Sequence, residues 1–111
     1  MNDAMEKQNA VIGKIMKSLV EVYNPIEIYI FGSYAWGNPN EESDIDFAVI
    51  IDSTDLDMAD RIRLSVNALW GVGVPADILV FTKAEIEEKS RYNSTLQHRI
   101  IHEGAKIYAA A

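Results

Sequence analysis

The stretch DIDFAVII, Asp44–Ile51, decides the fold of this chain. It is rich in β-branched and aromatic residues and therefore predicts a buried strand. Successive side chains of a strand point to opposite faces, so Asp44 and Asp46 share one face while Ile45 and Phe47 point to the other. The two carboxylates therefore lie together at one end of a strand that is otherwise apolar.

Further segments on both sides of this strand predict a layered domain. A strand is predicted over Ile26–Phe31, a third over Ala76–Phe81 and a short edge strand at Ile107-Tyr108. Apolar residues at helical spacing and capping signals predict helices over about residues 3–23, 55–70, 82–89 and 94–103. The alternation predicts the α+β class, a small mixed β-sheet flanked by helices, in a single domain spanning residues 1–111.

Composition narrows the possible functions. The chain has 111 residues, 49% of them hydrophobic, which is typical of one globular domain. No apolar run is long enough to span a bilayer, and the polar start carries no signal-peptide core, so a cytoplasmic setting is expected. The absence of cysteine excludes disulfides and thiolate zinc sites. The net charge of −7 argues against direct binding of free nucleic acid.

A third carboxylate gives the aspartate pair a chemical meaning. Asp77 stands just inside the third apolar run, where an unpaired charge is costly. If the second and third strands are neighbours, Asp44, Asp46 and Asp77 converge and could hold two divalent ions, for which Mg²⁺ suits oxygen ligands. The alternatives are a capping turn at residues 43–46 and an edge-strand Asp77 that faces water.

The Gly32-Ser33 step supplies a complementary feature. Glycine lets the backbone approach a phosphate closely, and the Ser33 hydroxyl and neighbouring amides can donate to phosphate oxygens. Taken alone, the step is equally well explained as an ordinary strand-ending turn. The spacing strengthens the functional interpretation, because ten residues separate Ser33 from Asp44, followed by Asp46 and later by Asp77.

The combined pattern resembles a known superfamily. Phe31-Gly32-Ser33, ten residues, Asp44-x-Asp46 and a later strand Asp77 are similar to the polymerase β-type nucleotidyltransferases. The small size, the SDIDF string and the Arg99–Gly104 ending most resemble the minimal nucleotidyltransferase (MNT) group. Members of that group are encoded beside HEPN ribonuclease toxins and act as their antitoxins.

This resemblance implies a polymerase β-like fold and a set of roles. Gly32 and Ser33 would hold the outer phosphates of a nucleoside triphosphate, with ATP as the substrate. Asp44 and Asp46 would bind two Mg²⁺ ions, and Asp77 would complete the metal site and help to deprotonate the attacking hydroxyl. In the antitoxin group the acceptor is a tyrosine of the HEPN partner, which becomes adenylylated. A hetero-oligomer with that toxin is therefore expected.

Several alternatives stay open at this point. The same chemistry could act on a small molecule such as an aminoglycoside, or the chain could be an antitoxin that acts by binding alone. Many relatives have an arginine where this chain has Trp36, which could stack on a base, bind a partner or simply pack. Arg61 and Arg63 are expected on a solvated helix face, although one of them could reach a phosphate.

Overall fold

The fold is built on one mixed β-sheet. The computed structural model describes residues 3–36, 44–71 and 76–110, with side chains from residue 9 onward except that of residue 67. Its strands are β1 (Glu27–Phe31), β2 (Ile45–Ile51), β3 (Ala76–Thr82) and β4 (Ala105–Ala109), in the order β3-β2-β1-β4. β2 runs antiparallel to β1 and parallel to β3, and β4 runs antiparallel to β1. The predicted α+β class and the edge strand near Ile107 are confirmed.

Six helices accompany the sheet in the described ranges. They are α1 (Asp3–Tyr23), α2 (Ser33–Trp36), α3 (Met58–Arg63), α4 (Val66–Leu69), α5 (Lys83–Lys89) and α6 (Leu96–Glu103). The capping box at Thr82 and Glu85 and the helix end at Gly104 are as the sequence predicts. Within the same ranges, none of these helices is both long and apolar enough to cross a membrane.

The central strand β2 is buried on both of its faces. On one face Ile45, Phe47 and Val49 are fully buried against Ile15 and Leu19 of α1. On the other face a second apolar cluster contains Ala48 and Ile50 of β2 together with Tyr29, Phe31, Phe81, Ile86 and Ile100. Burying each large apolar side chain contributes about 1.5–3 kcal/mol, so β2 is the best-anchored element of the sheet. The predicted alternation along Asp44–Ile51 is confirmed.

The single helix predicted over residues 55–70 is wrong. The structure has two short helices instead, and the break lies between Arg63 and Val66. The Ser65 hydroxyl donates to the Ile62 carbonyl at 2.6 Å, and the Ser65 amide donates to the same carbonyl at 2.9 Å. A serine that bonds back to a nearby carbonyl competes with the regular helix ladder, which explains the interruption.

The break changes which side chains of this region face the core. The helical pattern places Leu56, Ile62, Val66, Leu69 and Trp70 on or near one face, but Leu56, Val66 and Trp70 are 38%, 56% and 84% exposed. Ile62 and Leu69 are only partly buried, and Ala68 is the residue of α4 that enters the core. The α3–α4 segment therefore presents apolar surface outward.

Arg61 is a structural residue, which corrects the expectation of a solvated helix face or a phosphate contact. Its side chain is 10% exposed and pairs with Glu85 at 2.7 Å. The guanidinium also donates to the carbonyls of Leu56 at 2.8 Å and Val80 at 3.1 Å. These bonds tie α3 to β3 and α5, and they occupy the donors that a phosphate would need.

We predict that Glu85→Ala destabilises the fold while Glu88→Ala does not. The first change leaves the buried Arg61 guanidinium without its carboxylate, which should cost about 2 kcal/mol after allowance for the partial exposure of Glu85. Glu88 is exposed on the same helix and serves as the control. Urea denaturation followed by circular dichroism measures the difference, and equal stability of the two variants would contradict the role given to Arg61.

Candidate active site

The sheet register places two of the predicted carboxylates side by side. Asp46 on β2 pairs with Phe31 of β1 on one side and with Asp77 of β3 on the other. Neighbouring strands lie about 4.8 Å apart, so the end of β1, Asp46 and Asp77 form a short row that crosses three adjacent strands. The neighbouring strands that the sequence hypothesis requires are therefore present.

Asp46 lies where ionisation of its carboxyl group is unfavourable. Burial is the largest cause, and together with the charge of Asp77, a hydrogen bond with Asp77 and the charge of Asp44 it raises the pKa of Asp46 to about 6. A carboxyl group that resists ionisation beside a second carboxylate is stabilised by a cation placed between them. The paired oxygens are hard ligands of the kind that Mg²⁺ prefers, so the donor set fits such an ion.

Asp44 is at the rim of this arrangement. It lies just before β2, is exposed, and acts on Asp46 through its charge. Across residues 3–36, 44–71 and 76–110, no three histidine, cysteine, aspartate or glutamate side chains are gathered closely enough to form a ready-made metal site. The structure therefore brings Asp46 and Asp77 together and leaves Asp44 beside them, where the sequence analysis expects all three to converge.

Gly32 is fixed by its contact with Asp46. Its φ of +76° lies in the region that glycine tolerates best, and a Cβ at this position would overlap Oδ2 of Asp46. The Gly32 carbonyl accepts from the amides of Ala35 at 3.0 Å and Trp36 at 2.8 Å, which starts the α2 turn. The chain therefore bends sharply at the carboxylate, and a side chain at residue 32 would fill that space.

Ser33 is the first residue of α2, directly after this bend. The side chain is half-buried and stands next to the Gly32–Asp46 contact. The first amides of a helix have no partner within the helix, so they and the Ser33 hydroxyl are suited to donate to an anion. Hydrogen-bond donors therefore lie next to the end of β1, and the carboxylates of Asp46 and Asp77 lie on β2 and β3.

Trp36 has a packing role that the sequence left open. Its ring contacts Phe31, with ring centroids 6.0 Å apart, and the guanidinium carbon of Arg99 lies 3.8 Å over its centroid. Arg99 also pairs with Glu103 at 3.2 Å. The Trp36 Nε1 atom is buried and has no hydrogen-bond partner within the part of the chain that the structure describes. One face of the indole is thus covered by a cation from α6, which brings a positive charge to the end of the α2 turn.

A cavity of about 510 Å³ opens beside the carboxylate pair. Asp46 and Asp77 lie at its polar part, and its walls are Phe31, Ile62, Ser65, Val66, Leu69, Ala76, Ile78 and Leu79. The contribution of α3 and α4 is the part of the site that the sequence analysis missed. The available signal was the run of residues 64–76, which contains no charged residue and ends at Asp77.

Comparison with known proteins assigns the family. The model of the nucleotidyltransferase domain family matches residues 12–102. The chain belongs to this family. The carboxylate pair beside the Gly32-Ser33 bend is therefore the candidate centre of a nucleotidyltransferase. No curated protein matches the chain.

Solved structures with the same fold include a candidate nucleotidyltransferase from Sulfolobus solfataricus. It is 21% identical with a TM-score of 0.67, over 98% of this chain and 89% of its own. A substituted form of the toxin–antitoxin MntA-HpeT is 23% identical with a TM-score of 0.62. A toxin–antitoxin structure with AMP-PNP is 28% identical with a TM-score of 0.61. Both of these matches cover 88% of this chain and 73% of the other.

We predict that Gly32→Ala is more damaging than Gly71→Ala. Both glycines have a positive φ, of +76° and +77°, but an added methyl group meets Asp46 only at residue 32. An alanine with a positive φ costs about 1 kcal/mol of folding stability at either position. The overlap with Asp46 should bring the loss of folding stability at residue 32 to about 2 kcal/mol or more. Thermal unfolding of the two variants measures this gap, and similar losses would show that the Gly32–Asp46 contact is not tight.

A second prediction follows from the raised pKa of Asp46. A carboxyl group whose folded pKa is about 6, against an ordinary value of 3.8, stabilises the fold at acid pH. That contribution is lost as the pH rises through about 6. In metal-free buffer with EDTA, Asp46→Asn should therefore melt at a higher temperature than the wild type at pH 8, and the gap should shrink towards pH 4.

The control for this experiment is Asp52→Asn. Asp52 is exposed and follows the opposite end of β2, so its substitution should leave the melting temperature nearly unchanged. A pH-independent difference for Asp46→Asn, or a lower melting temperature at pH 8, would contradict the electrostatic description of the pair.

Proposed function

We propose that this chain transfers AMP from ATP to a protein hydroxyl in a Mg²⁺-dependent reaction, and that the acceptor is a tyrosine of a cognate HEPN-type toxin. The observation that carries the proposal is the Asp46–Asp77 pair held beside the Gly32-Ser33 bend. Family membership supports nucleotidyl transfer in general. The nucleotide, the metal and the acceptor are inferred from the chemistry of the site and from the similar structures.

The carboxylates define where a metal would be held. Asp46 and Asp77 would bind Mg²⁺ between them, with Asp44 available from the rim. When bound, the ion would offset the charge of the triphosphate and lower the pKa of the attacking hydroxyl. An acidic protein of net charge −7 needs such a cation to accept a nucleoside triphosphate.

The residues of the chain have separate tasks in this scheme. Gly32 leaves room for the backbone to approach the outer phosphates, and the Ser33 hydroxyl and the first amides of α2 donate to their oxygens. Asp77 is exposed and stands at the far end of the row, where it can accept the proton of the acceptor hydroxyl. Catalysis in this arrangement is mostly positioning and electrostatic stabilisation.

The similar structures favour ATP and a toxin partner. The structure at 28% identity is a toxin–antitoxin with AMP-PNP, an ATP analogue. A second neighbour is the toxin–antitoxin MntA-HpeT. We infer by extension a cytoplasmic hetero-oligomer in which the toxin supplies the acceptor hydroxyl. An antitoxin that acts by contact alone is the second candidate, and the exposed apolar side chains of Leu64, Val66 and Trp70 favour it, because such side chains suit a protein partner.

The decisive experiment is the intact mass of the toxin after incubation with the chain, Mg²⁺ and ATP. The toxin is taken as the product of the neighbouring gene. We predict the gain of one or more AMP units on tyrosine, and none with EDTA. Asp46→Asn and Asp77→Asn should lower the rate at least about 100-fold, as loss of electrostatic stabilisation does elsewhere.

Asp52→Asn is the matched control, since it removes the same charge at the other end of β2. Transfer that persists in the Asp46 and Asp77 variants would mean that the site is wrongly placed. A tight complex with no gain of mass would instead support inhibition by binding alone.

A further inference from the structure

The strand order gives the candidate active site a direction. Gly32 follows β1, Asp46 lies on the central β2, and Asp77 lies on β3 at the outer side. Phosphoryl transfer places the attacking and leaving oxygens roughly in line, on opposite sides of the phosphorus atom. If pyrophosphate leaves on the Gly32-Ser33 side, as the proposed function has it, the attacking hydroxyl must arrive on the Asp77 side.

The feature on that side is the cavity of about 510 Å³. It is lined by Ile62, Val66 and Leu69 of the α3–α4 segment and by Ile78 and Leu79 of β3, and it reaches back past Asp46 to Phe31 of β1. Volumes of this size accommodate small organic groups, and a phenol ring fits with room to spare. The cavity therefore lies where the acceptor must approach and has the size of a side chain ring.

The lining selects the kind of hydroxyl that can be bound there. Among the lining residues that the structure describes, the only polar side chain apart from Asp46 and Asp77 is Ser65, and its hydroxyl already donates to the Ile62 carbonyl. A sugar or another polyol would leave most of its hydroxyls buried without partners, which is costly. An aromatic hydroxyl buries an apolar ring and presents a single oxygen to Asp77.

The surface around the cavity indicates a protein as the source of that ring. Residues 64–71 and 76, which the structure describes, include no charged residue, although 24% of the chain is charged. Leu64, Val66 and Trp70 of this stretch are 48%, 56% and 84% exposed. Exposed apolar side chains with a tryptophan and without charges are typical of the centre of a protein interface.

The acidic residues near the cavity restrict the kind of partner protein further. Asp77 lines the cavity and is exposed, Asp44 is exposed just before β2, and the chain as a whole carries a net charge of −7. Basic residues next to the acceptor complement these charges, whereas acidic neighbours are repelled. The apolar surface and the acidic rim together fit a tyrosine that stands on a basic surface.

We propose that the cavity between α3–α4 and β3 is the acceptor site, and that it takes the ring of a tyrosine from a basic protein surface. This inference rests on the proposed function. The tyrosine oxygen forms a bond to the α-phosphorus of ATP, the bond between that phosphorus and the bridging oxygen breaks, and pyrophosphate leaves. The phenolic proton passes to Asp77.

Binding is tested without any chemistry by methyl NMR. The full chain with Mg²⁺ and an ATP analogue that cannot be cleaved between the α- and β-phosphates is titrated with N-acetyltyrosinamide. We expect saturable shifts of the Ile62, Val66 and Leu69 methyl groups, and none with N-acetylserinamide. Equal responses to the two amides, or shifts confined to other methyl groups, would overturn the assignment. Large shifts of these methyl groups on addition of nucleotide alone would also overturn it, because the cavity would then hold the base.

Kinetics test the same site in the working enzyme. Val66→Glu introduces a charge at the cavity wall and should raise the KM for a lysine-flanked tyrosine peptide at least tenfold, with the KM for ATP unchanged. Val22→Glu is the control, because Val22 is also exposed, at 39%, but lies on the last turn of α1 before the opposite end of the sheet.

The outcomes separate this inference from the function on which it rests. If the wild type transfers AMP and Val66→Glu leaves the peptide KM unchanged, the acceptor site is wrong while nucleotidyl transfer stands. If the wild type transfers AMP to no acceptor, the proposed function fails, and the methyl shifts alone decide whether the cavity binds a tyrosine ring. Better transfer to a glutamate-flanked peptide than to a lysine-flanked one would overturn the basic-surface requirement.

Discussion

The repulsion between Asp46 and Asp77 is the interaction on which the rest of the site depends. Parallel pairing of β2 with β3 fixes the two residues opposite each other, and burial together with the nearby Asp77 and Asp44 raises the pKa of Asp46 to about 6. The sheet can hold this pair because β2 is anchored by apolar side chains on both faces. The surrounding fold thus maintains a local arrangement that is unfavourable until a cation neutralises it.

The Gly32-Ser33 bend and the α3–α4 segment lie on opposite sides of this pair. Gly32 is limited to glycine because the Asp46 carboxylate fills the space of a side chain, and the bend starts the turn that carries Ser33. On the other side of the row, the α3–α4 segment closes an apolar cavity against β3. Under the proposed function, the order of the three strands gives a phosphate-binding side at β1 and an acceptor side at β3.

The sequence predicted the elements with strong local signals and missed those set by tertiary contacts. The alternation along Asp44–Ile51 and the capping box at Thr82 were sufficient because each is a property of neighbouring residues. The break at Ser65 depends on a side chain to backbone bond that helical spacing does not reveal. The burial of Arg61 depends on Glu85, which lies 24 residues away. In the site, the pattern supplied the carboxylates and the Gly32-Ser33 step, whereas the pairing of β2 with β3, the cavity and the Arg99–Trp36 contact required the fold.

The central claim is that Asp46 and Asp77 share a bound divalent cation next to the Gly32-Ser33 bend. The most direct measurement is a crystal structure of the chain grown with Mn²⁺ and a non-hydrolysable ATP analogue, with the metal located by anomalous scattering. We expect an anomalous peak between the two carboxylates, with phosphate oxygens completing the coordination of the metal. A nucleotide bound elsewhere, or carboxylates that point apart with no metal between them, would contradict the central claim.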